Sequence, residues 1–317
     1  MGGFIRQGAA TAMADSPYFC RLVHEGVLAI RGADATKFLQ GQLTCNLNYL
    51  GDDQAGLGGR CTPKGRLVSS FRIVKQPDGY LLALAQELLE PQLTDLKKYA
   101  VFSKSTLADE SARWQRLGLD ATGFATTWPE AVLGAAANSV APLADGFAIR
   151  LEDGRVEAWL GADAALPALP EVGLDVWLLA QVRAGVGQVF GATRELFVPQ
   201  MINLQALDGV SFRKGCYTGQ EIVARMQYLG KLKRRLYRLA GSGAAPSVGT
   251  ELFSPVHGSS VGEVVLAAPT ADGCELLAVL QADAVEDGRI TLGSSDGPNC
   301  RLLDLPYSLD NDREIKR

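Results

Sequence analysis

The sequence predicts an α+β protein that ends in a small β-barrel or sandwich. Helix and strand patterns alternate as far as about residue 235, and short apolar stretches at near-regular spacing follow. With 317 residues, 47% of them hydrophobic, the chain is long enough for two or three structural units. The C-terminal strands are predicted at 236–240, 251–253, 261–267, 275–280, 289–292 and 301–305.

The first residues are rich in glycine and alanine and lack a sustained apolar segment. We therefore predict a disordered lead-in over 1–16 and not a signal peptide. Alternating hydrophobicity over 19–30 then predicts a pair of strands that turns near His24. The stretch 32–41 predicts a short helix closed by Gly41.

A glycine-rich segment over 56–65 comes next. It lacks the residue order of a phosphate-binding loop, so a hairpin turn competes with a phosphate cradle as its interpretation. Two strands over 67–74 and 79–85, joined by a Pro-Asp-Gly turn, predict a hairpin. The leucine spacing predicts a helix over 88–101, and a second alternation of strands and helices runs from 107 to 229.

One cysteine stands at a predicted helix start. Thr218 and Glu221 have the spacing of a capping box, which places the helix boundary there. Cys216 therefore lies just before the positive end of the helix dipole, with Lys214 nearby, and both effects favour a thiolate over a thiol. The alternative is a small buried hydrophobe beneath a turn.

Composition argues against membrane and metal sites. The longest apolar runs are far shorter than the roughly 18 residues that span a bilayer, so we expect a cytoplasmic protein. The six cysteines show no C-x-x-C spacing and the two histidines are isolated, so we predict reduced thiols and no metal site. An iron–sulfur ligand set assembled from distant cysteines stays open as an alternative.

Basic residues cluster after the predicted helix. The net charge of the chain is −4, which gives no general nucleic-acid signature, yet Lys231 to Arg238 contains five basic residues. This cluster predicts contact with an anionic partner such as tRNA or a polyglutamyl tail. A solvated surface run is the alternative.

Two sequence blocks carry a family resemblance. Residues 197–205 are FVPQMINLQ and residues 214–225 are KGCYTGQEIVAR. At this separation the blocks resemble the signature of the YgfZ family, folate-binding relatives of the glycine-cleavage T-protein. Segments 38–44 and 64–66 resemble further family features, so the likeness runs from about Tyr18 into the C-terminal region.

The resemblance implies a three-lobed, T-protein-like fold around a channel for tetrahydrofolate or a one-carbon derivative. A folate-binding module would cover 17–235 as two α+β lobes split near residue 106, and a C-terminal β-barrel would cover 236–317. The implied role is support of iron–sulfur cluster assembly or repair, with client or assembly proteins as partners. An effect on tRNA modification can then be indirect.

The resemblance also implies the site residues. The motif cysteine corresponds to Cys216, expected at the mouth of the channel, and Lys214 would sustain its thiolate. Candidates for binding the pterin are Gln42, Asn203, Gln205, Arg183 and Tyr217, although the amides can equally satisfy backbone groups.

Two departures from the T-protein argue against aminomethyl transfer. Ser69 and Ser70 stand where the T-protein carries paired aspartates, and a serine cannot stabilise the positive charge that develops during one-carbon transfer. Arg183 stands where the T-protein has a glutamate suited to pairing with pterin donors. We therefore predict an accessory factor, with a folate-dependent aminomethyl or one-carbon transferase as the alternative.

Overall fold

The computed structural model describes residues 16–228 and 232–309. The predicted lead-in, apart from Ser16, therefore lies outside the described residues, as does Lys231 of the basic cluster.

The first sheet is antiparallel and has two helices beside it. Its strands are β2 (Glu25–Arg31), β3 (Ala55–Cys61), β4 (Leu67–Gln76), β5 (Gly79–Ala85) and β6 (Thr106–Asp109), in the order β3-β4-β5-β2-β6. The helices are α1 (Ala35–Gln40) and α2 (Gln86–Tyr99). The predicted 67–85 hairpin and both helices are confirmed. The glycine-rich segment forms β3 and the turn into β4, which is the hairpin interpretation.

The second sheet is built around a hairpin and includes the first strand of the chain. Its strands are β1 (Phe19–Arg21), β7 (Trp114–Leu119), β8 (Val140–Leu143), β9 (Gly146–Arg150) and β10 (Val156–Gly161), in the order β1-β7-β10-β9-β8. The helix α3 (Ala121–Thr127) follows β7, and α4 (Leu174–Arg183) follows β10.

The predicted pairing of the two strands within 19–30 is wrong. Both strands form, but β1 pairs with β7 of the second sheet, whereas β2 pairs with β5 and β6 of the first. The physical reason is burial: Val27 to Ile30 are buried on both faces, so β2 needs a partner strand on each side and a covering layer above and below. A three-residue strand such as β1 cannot supply that environment.

The C-terminal strands close into a barrel, which confirms the barrel and excludes the sandwich. They are β11 (Arg234–Gly241), β12 (Glu251–Phe253), β13 (Gly262–Thr270), β14 (Gly273–Gln281), β15 (Ile290–Leu292) and β16 (Asn299–Leu303). The barrel order is β11-β14-β13-β12-β15-β16, and β16 pairs back with β11. A short helix, α6 (Ala282–Glu286), follows β14.

One apolar core joins the first sheet to the barrel. Leu82 of β5, Phe197 of the intervening segment and Val279 of β14 belong to the same cluster of buried side chains. The helix α4 packs against β13 and β14. The remaining helix, α5 (Gln220–Tyr228), lies in the motif region just before the barrel. No helix in the described ranges has both the length and the apolar character needed to cross a membrane.

Candidate functional site

The loop that leads into the Lys-Gly-Cys motif is bound to the segment around Thr44. The backbone N–H of Ser211 donates to the backbone O of Thr44 at 2.8 Å, and the Thr44 hydroxyl donates to the backbone O of Gly209 at 2.6 Å. The same hydroxyl accepts from the N–H of Gly59 in β3 at 2.8 Å. The structure thus brings the 38–44 segment and the motif loop together on the first sheet.

The buried side chain of Lys214 adds a further contact between the motif loop and the segment around Thr44. Its ammonium Nζ donates to the backbone O of Leu43 and of Cys45, each at 2.7 Å, and lies 5.2 Å from the centre of the Tyr217 ring. Burial lowers the pKa of Lys214 to about 8. In the described part of the chain no hydrogen bond joins Nζ to Sγ of Cys216, so any support of the thiolate by Lys214 would act through space.

Cys216 is exposed, whereas the other five cysteines of the sequence are buried. It lies four residues before α5, which begins at Gln220. Among the described residues, no three His, Cys, Asp or Glu side chains converge in a geometry that could hold a metal ion. Cys216 is therefore accessible from solvent, and its role at the site stays a prediction.

The predicted capping box at the start of α5 is wrong. Gly219 has a φ of +84°, so the helix begins one residue later than a box between Thr218 and Glu221 requires. The backbone N–H of Thr218 donates instead to the backbone O of Gly41 at 3.1 Å. A tertiary contact to the end of α1 replaces the local cap.

A central cavity lies where the two sheets meet α4. Leu57, Phe71 and Trp177 supply apolar walls, and the charged side chains Arg72 and Glu152 supply polar ones. The residues that line it come from the first sheet, from β10 through Glu157, from the loop joining β9 to β10, from α4 and from the segment 186–204. Concave sites that combine apolar walls with convergent polar groups are typical of small-molecule binding.

Two further cavities share walls with the central one. The second is also lined by Leu57 and extends to Cys45, whose backbone O accepts from Lys214, and to Arg213, the residue before Lys214. The third is also lined by Glu152 and extends to Arg183 and Tyr307. Cys216 does not line any of these three cavities, so its predicted place at the mouth of a channel stays a prediction.

The two serines that replace the T-protein aspartates have different environments. Ser69 is fully buried, and its hydroxyl donates to Oε1 of Gln92 in α2, away from the cavity. Ser70 lines the central cavity and accepts a hydrogen bond from the backbone N–H of Val189 at 2.9 Å. Neither position presents a negative charge to a ligand.

Carboxylates nevertheless line the cavity from other positions, within a buried group of ion pairs. Arg116 binds Glu25 at 2.5 Å and Glu157 at 2.6 Å, and its guanidinium carbon lies 4.5 Å from the centre of the Trp159 ring. Arg72 lies 3.4 Å from Glu157. Charges buried in this way are tolerated because each has a partner.

Several of the predicted pterin-binding side chains carry buried polar atoms that have no hydrogen-bond partner within the described residues. These atoms are both amide atoms of Gln205, Oδ1 of Asn203, Oε1 of Gln42 and the hydroxyl of Tyr217. An unpaired buried polar atom costs about 1–3 kcal/mol, which a hydrogen-bonding ligand can recover. Asn203 and Gln205 flank Leu204 in the sequence, and Leu204 lines the central cavity.

Arg183 is bound to the barrel. Its Nε and Nη2 donate to Oε1 of Glu275 in β14 at 3.1 and 2.8 Å, while Arg238 of β11 donates to the other oxygen of Glu275 at 2.7 Å. Arg183 still lines the third cavity, where the hydroxyl of Tyr307, which follows the barrel, donates to the backbone O of Gly185 at 2.7 Å. The ion pair joins α4 to the barrel, and a contact between Arg183 and a pterin stays a prediction.

The basic cluster is partly neutralised. Arg234 binds Glu263 at 2.6 Å and Arg238 binds Glu275. Lys233 is exposed. Two of the cations that would contact an RNA backbone are therefore already paired within the barrel.

Sequence reasoning missed Glu152, Arg155 and Trp177. The residues Glu-Asp-Gly at 152–154 are typical of a turn, and no motif marks the acid as a site residue. Arg155 lies over Trp177 at 3.9 Å, a contact between a hairpin and a helix that no sequence spacing reveals.

Comparison with known proteins gives close relatives and one shared fold. The chain is 33% identical over 323 residues to the tRNA-modifying protein YgfZ of Escherichia coli O127:H6, strain E2348/69, with 95% of this chain and 96% of that protein covered. The tRNA-modifying protein YgfZ of Escherichia coli K12 matches equally, at 33% identity and the same coverage. No family model matches the chain.

Among solved structures, the glycine cleavage system aminomethyltransferase T from Bartonella henselae superposes with a TM-score of 0.70. The superposition covers 95% of this chain and 87% of that one at 14% sequence identity. At this identity the match shows a shared fold, and it confirms the T-protein-like α+β architecture with its C-terminal barrel.

Proposed function

Because this chain belongs to the YgfZ family, we propose that it is a cytoplasmic, tetrahydrofolate-binding accessory protein that supports iron–sulfur cluster assembly or repair. Its module over 17–235 would hold the folate, or a one-carbon derivative. Its effect on tRNA modification would be indirect, through modifying enzymes that contain clusters. The relatives are named as tRNA-modifying proteins, which agrees with an effect of that kind.

The central cavity is the observation that carries the folate proposal. A pterin is flat, and its edge presents both hydrogen-bond donors and acceptors. The walls formed by Leu57, Phe71 and Trp177 suit a flat ring. Gln205 and Asn203 flank the cavity-lining residue Leu204 in the sequence; the amide of Gln205 has an unpaired donor and an unpaired acceptor within the described residues, and Asn203 has an unpaired acceptor.

The exposed thiol of Cys216 supports the second half of the proposal. A cluster protein or a cluster intermediate can reach it, because it is the exposed thiol on a loop that Lys214 and Thr44 hold in place. Thiolate sulfur is the usual protein ligand of iron–sulfur clusters. Cys216 would act as a transient ligand to a client's cluster.

The environment of Ser69 and Ser70 favours an accessory role over one-carbon transfer. In a transferase, an anionic group close to the reacting nitrogen would stabilise the developing positive charge. Here the Ser69 hydroxyl donates to Gln92, and the Ser70 hydroxyl accepts from the backbone N–H of Val189, so neither position supplies an anion.

Direct tRNA contact at Lys231–Arg238 is disfavoured because Arg234 and Arg238 already pair with Glu263 and Glu275.

The test compares Cys216→Ala with wild type in cells that lack the protein. We expect Cys216→Ala to lose about 10-fold or more of the rescue of a cluster-containing enzyme, since a thiol ligand has no substitute in alanine. Folate affinity, measured by titration of the purified proteins, should be unchanged. The matched control is Cys300→Ala, which removes a thiol buried in the barrel and should rescue like wild type.

Two results would contradict the proposal. Full rescue by Cys216→Ala would make this cysteine structural. Turnover of methylenetetrahydrofolate by the purified protein with a one-carbon acceptor would replace the accessory role by the transferase.

A further inference from the structure

A group of large apolar side chains is exposed where α2 ends. Phe102 is 99% exposed, Val101 70% and Tyr99 52%; these three residues are called the apolar patch below. Elsewhere in 16–228 and 232–309 the large apolar side chains that are exposed occur singly along the sequence. Single exposed apolar side chains are ordinary, whereas neighbouring ones mark an interaction site.

The loop that carries the apolar patch is held in place by hydrogen bonds. The backbone N–H of Ser103 donates to the O of Ala100 at 2.8 Å. The N–H of Lys104 donates to Oδ2 of Asp34 at 2.8 Å, and the N–H of Asp34 donates back to the O of Lys104 at 3.5 Å. Because the loop is already ordered, a partner that binds Phe102 loses less conformational entropy.

The charged groups beside the apolar patch carry a net positive charge. Three exposed lysines flank it in the sequence: Lys97, Lys98 and Lys104. Asp95 lies 3.4 Å from the ammonium of Lys98, but it also binds Arg60 and so is shared between two cations. Even with Asp34 counted, cations outnumber anions here, in a chain whose net charge is −4.

This combination suits an acidic protein surface better than an RNA strand. A basic rim around an apolar centre is complementary to acidic side chains around an apolar pocket. Single-stranded RNA instead stacks successive bases on free ring faces. Val101 has no ring, and the guanidinium of Arg60 lies over the Tyr99 ring, 5.8 Å from its centre.

Strand β3 connects the apolar patch to the cysteine motif. Arg60 lies over Tyr99, and the next residue, Cys61, faces the motif turn, where a Cβ on Gly219 would lie 3.0 Å from the Cβ of Cys61. The patch and the turn that follows Cys216 therefore contact consecutive residues of one strand. One partner protein can engage both.

We propose that the apolar patch and its lysines form the docking surface for the acidic client or assembly protein whose cluster Cys216 would ligate. This inference rests on the proposed function and names the surface through which that protein is recognised. Phe102 is the anchor of the contact, and the lysines steer and orient the partner.

The first test measures rescue of a cluster-containing enzyme in cells that lack the protein. We expect Phe102→Ser to reduce rescue about 10-fold or more, the loss typical of removing an aromatic anchor from an interface. The matched control is Val132→Ser, which removes an apolar side chain with 89% exposure from the loop between α3 and β8 and should rescue like wild type. Both variants should keep the Tm of wild type, since both side chains are exposed.

The second test changes the charges beside the patch. The combination of Lys97→Glu, Lys98→Glu and Lys104→Glu should reduce rescue by about 10-fold or more, because like charges repel an acidic partner. Arginine at the same three positions keeps the charge and should rescue like wild type. Full rescue by the glutamate variant would overturn the inference.

A photo-crosslink identifies the class of the partner. The full chain with p-benzoylphenylalanine in place of Phe102 is irradiated in the same cells, and we expect an adduct with an acidic protein that the three glutamate substitutions abolish. A second copy of this chain, an RNA sensitive to ribonuclease or an extractable lipid in the adduct would overturn the inference. Absence of any adduct would overturn it as well.

The outcomes separate this inference from the proposed function. If Cys216→Ala loses rescue but Phe102→Ser and the glutamate variant keep it, the docking surface is wrong and the proposed function stands. If wild type rescues no cluster-containing enzyme, yet the lysine-dependent adduct with an acidic protein forms, the docking surface stands and the proposed function falls.

Discussion

At the scale of single residues, His24 is unusual because both of its ring nitrogens are buried without a hydrogen-bond partner among the described residues. It lies close to the charged side chains Glu25, Arg116 and Glu157. Burial lowers the pKa of His24, and the two carboxylates only partly oppose this shift. The folded protein therefore holds His24 neutral at pH values where a free histidine begins to take up a proton.

We expect this histidine to make the protein less stable in weak acid. Its pKa in the folded state lies below the value of about 6.5 in the unfolded chain, so the unfolded chain takes up the proton first as the pH falls. The free energy of unfolding should be insensitive to His24 above about pH 6.5 and should decrease below it. The measurement is Tm against pH, between about pH 7.5 and 5.5, for wild type and His24→Gln.

Over this range the curve of Tm against pH should be flatter for His24→Gln than for wild type. The one other histidine of the sequence, His257, is kept in both proteins, so the difference between the curves isolates His24. Parallel curves would show that His24 does not titrate differently on unfolding.

The sequence could indicate candidate site residues by their type, but it could not predict the directions of their side chains. Lys214 and Cys216 are two positions apart, which suggested direct cooperation. In the structure Lys214 instead bonds to carbonyl groups 169 and 171 positions earlier in the chain. Contacts over such separations leave no local pattern, and the same is true of Glu152 and Arg72, 80 positions apart.

At the scale of elements, the motif turn before α5 depends on a close approach of two backbones. Gly219 has a φ of +84°, and a Cβ there would lie 2.4 Å from the backbone O of Thr62 in the β3–β4 turn. In that turn Gly65, with a φ of +70°, faces Ile222 of α5. The start of α5 and the β3–β4 turn therefore fit together only when position 219 lacks a side chain.

We expect Gly219→Ala to lower the Tm by several degrees. The left-handed conformation alone costs a residue with a Cβ about 1–2 kcal/mol, and the contact with Thr62 adds to this. Gly215→Ala, four positions earlier, is the matched control, because a Cβ there meets nothing within 4 Å. Equal melting temperatures for the two variants would show that the turn adjusts at no cost.

Elements with a strong local pattern were predicted well, whereas pairing between distant elements was not. The spacing of apolar stretches predicted each barrel strand, because turn residues separate them at short intervals. The partner of β1 was missed, since β7 lies far along the chain and alternation within 19–30 contains no information about it. The start of α5 was misplaced because a bond from Thr218 to Gly41 replaces the local cap.

At the scale of the whole molecule, Glu275 joins the barrel to the rest of the protein. It accepts from Arg183 at the end of α4 and from Arg238 within the barrel. The neighbouring arginines hold the pKa of Glu275 below its usual value although burial opposes this, so the bridge is ionic at neutral pH. Arg183 is about half exposed, with 54% of its side chain accessible, so solvent screening limits its contribution to the stability of the ionic bridge.

We expect Glu275→Gln to weaken the coupling between the barrel and α4 by about 1–3 kcal/mol, between the values for exposed and buried pairs. All four tryptophans, at 114, 128, 159 and 177, precede the barrel. Tryptophan fluorescence therefore reports the unfolding of the part before the barrel, while far-UV circular dichroism reports the whole chain. The two melting curves should coincide in wild type and separate in Glu275→Gln.

Glu263→Gln is the matched control for this experiment. It removes the same charge from an ion pair with Arg234 that lies entirely within the barrel. Its two melting curves should stay together. If the fluorescence and circular dichroism melting curves separate in both variants, or in neither, then the ion pairs of Glu275 do not specifically couple the barrel to α4.

The pairing of β1 with β7 constrains how the protein emerges from the ribosome. β1 is synthesised before every other described strand, yet its partner β7 is Trp114–Leu119, and all five strands of the first sheet are synthesised between the two. β1 must therefore wait, unpaired, while the residues that follow it assemble a sheet that it does not join. The second sheet cannot be completed until the whole of the first has been translated, so its maturation comes late in synthesis.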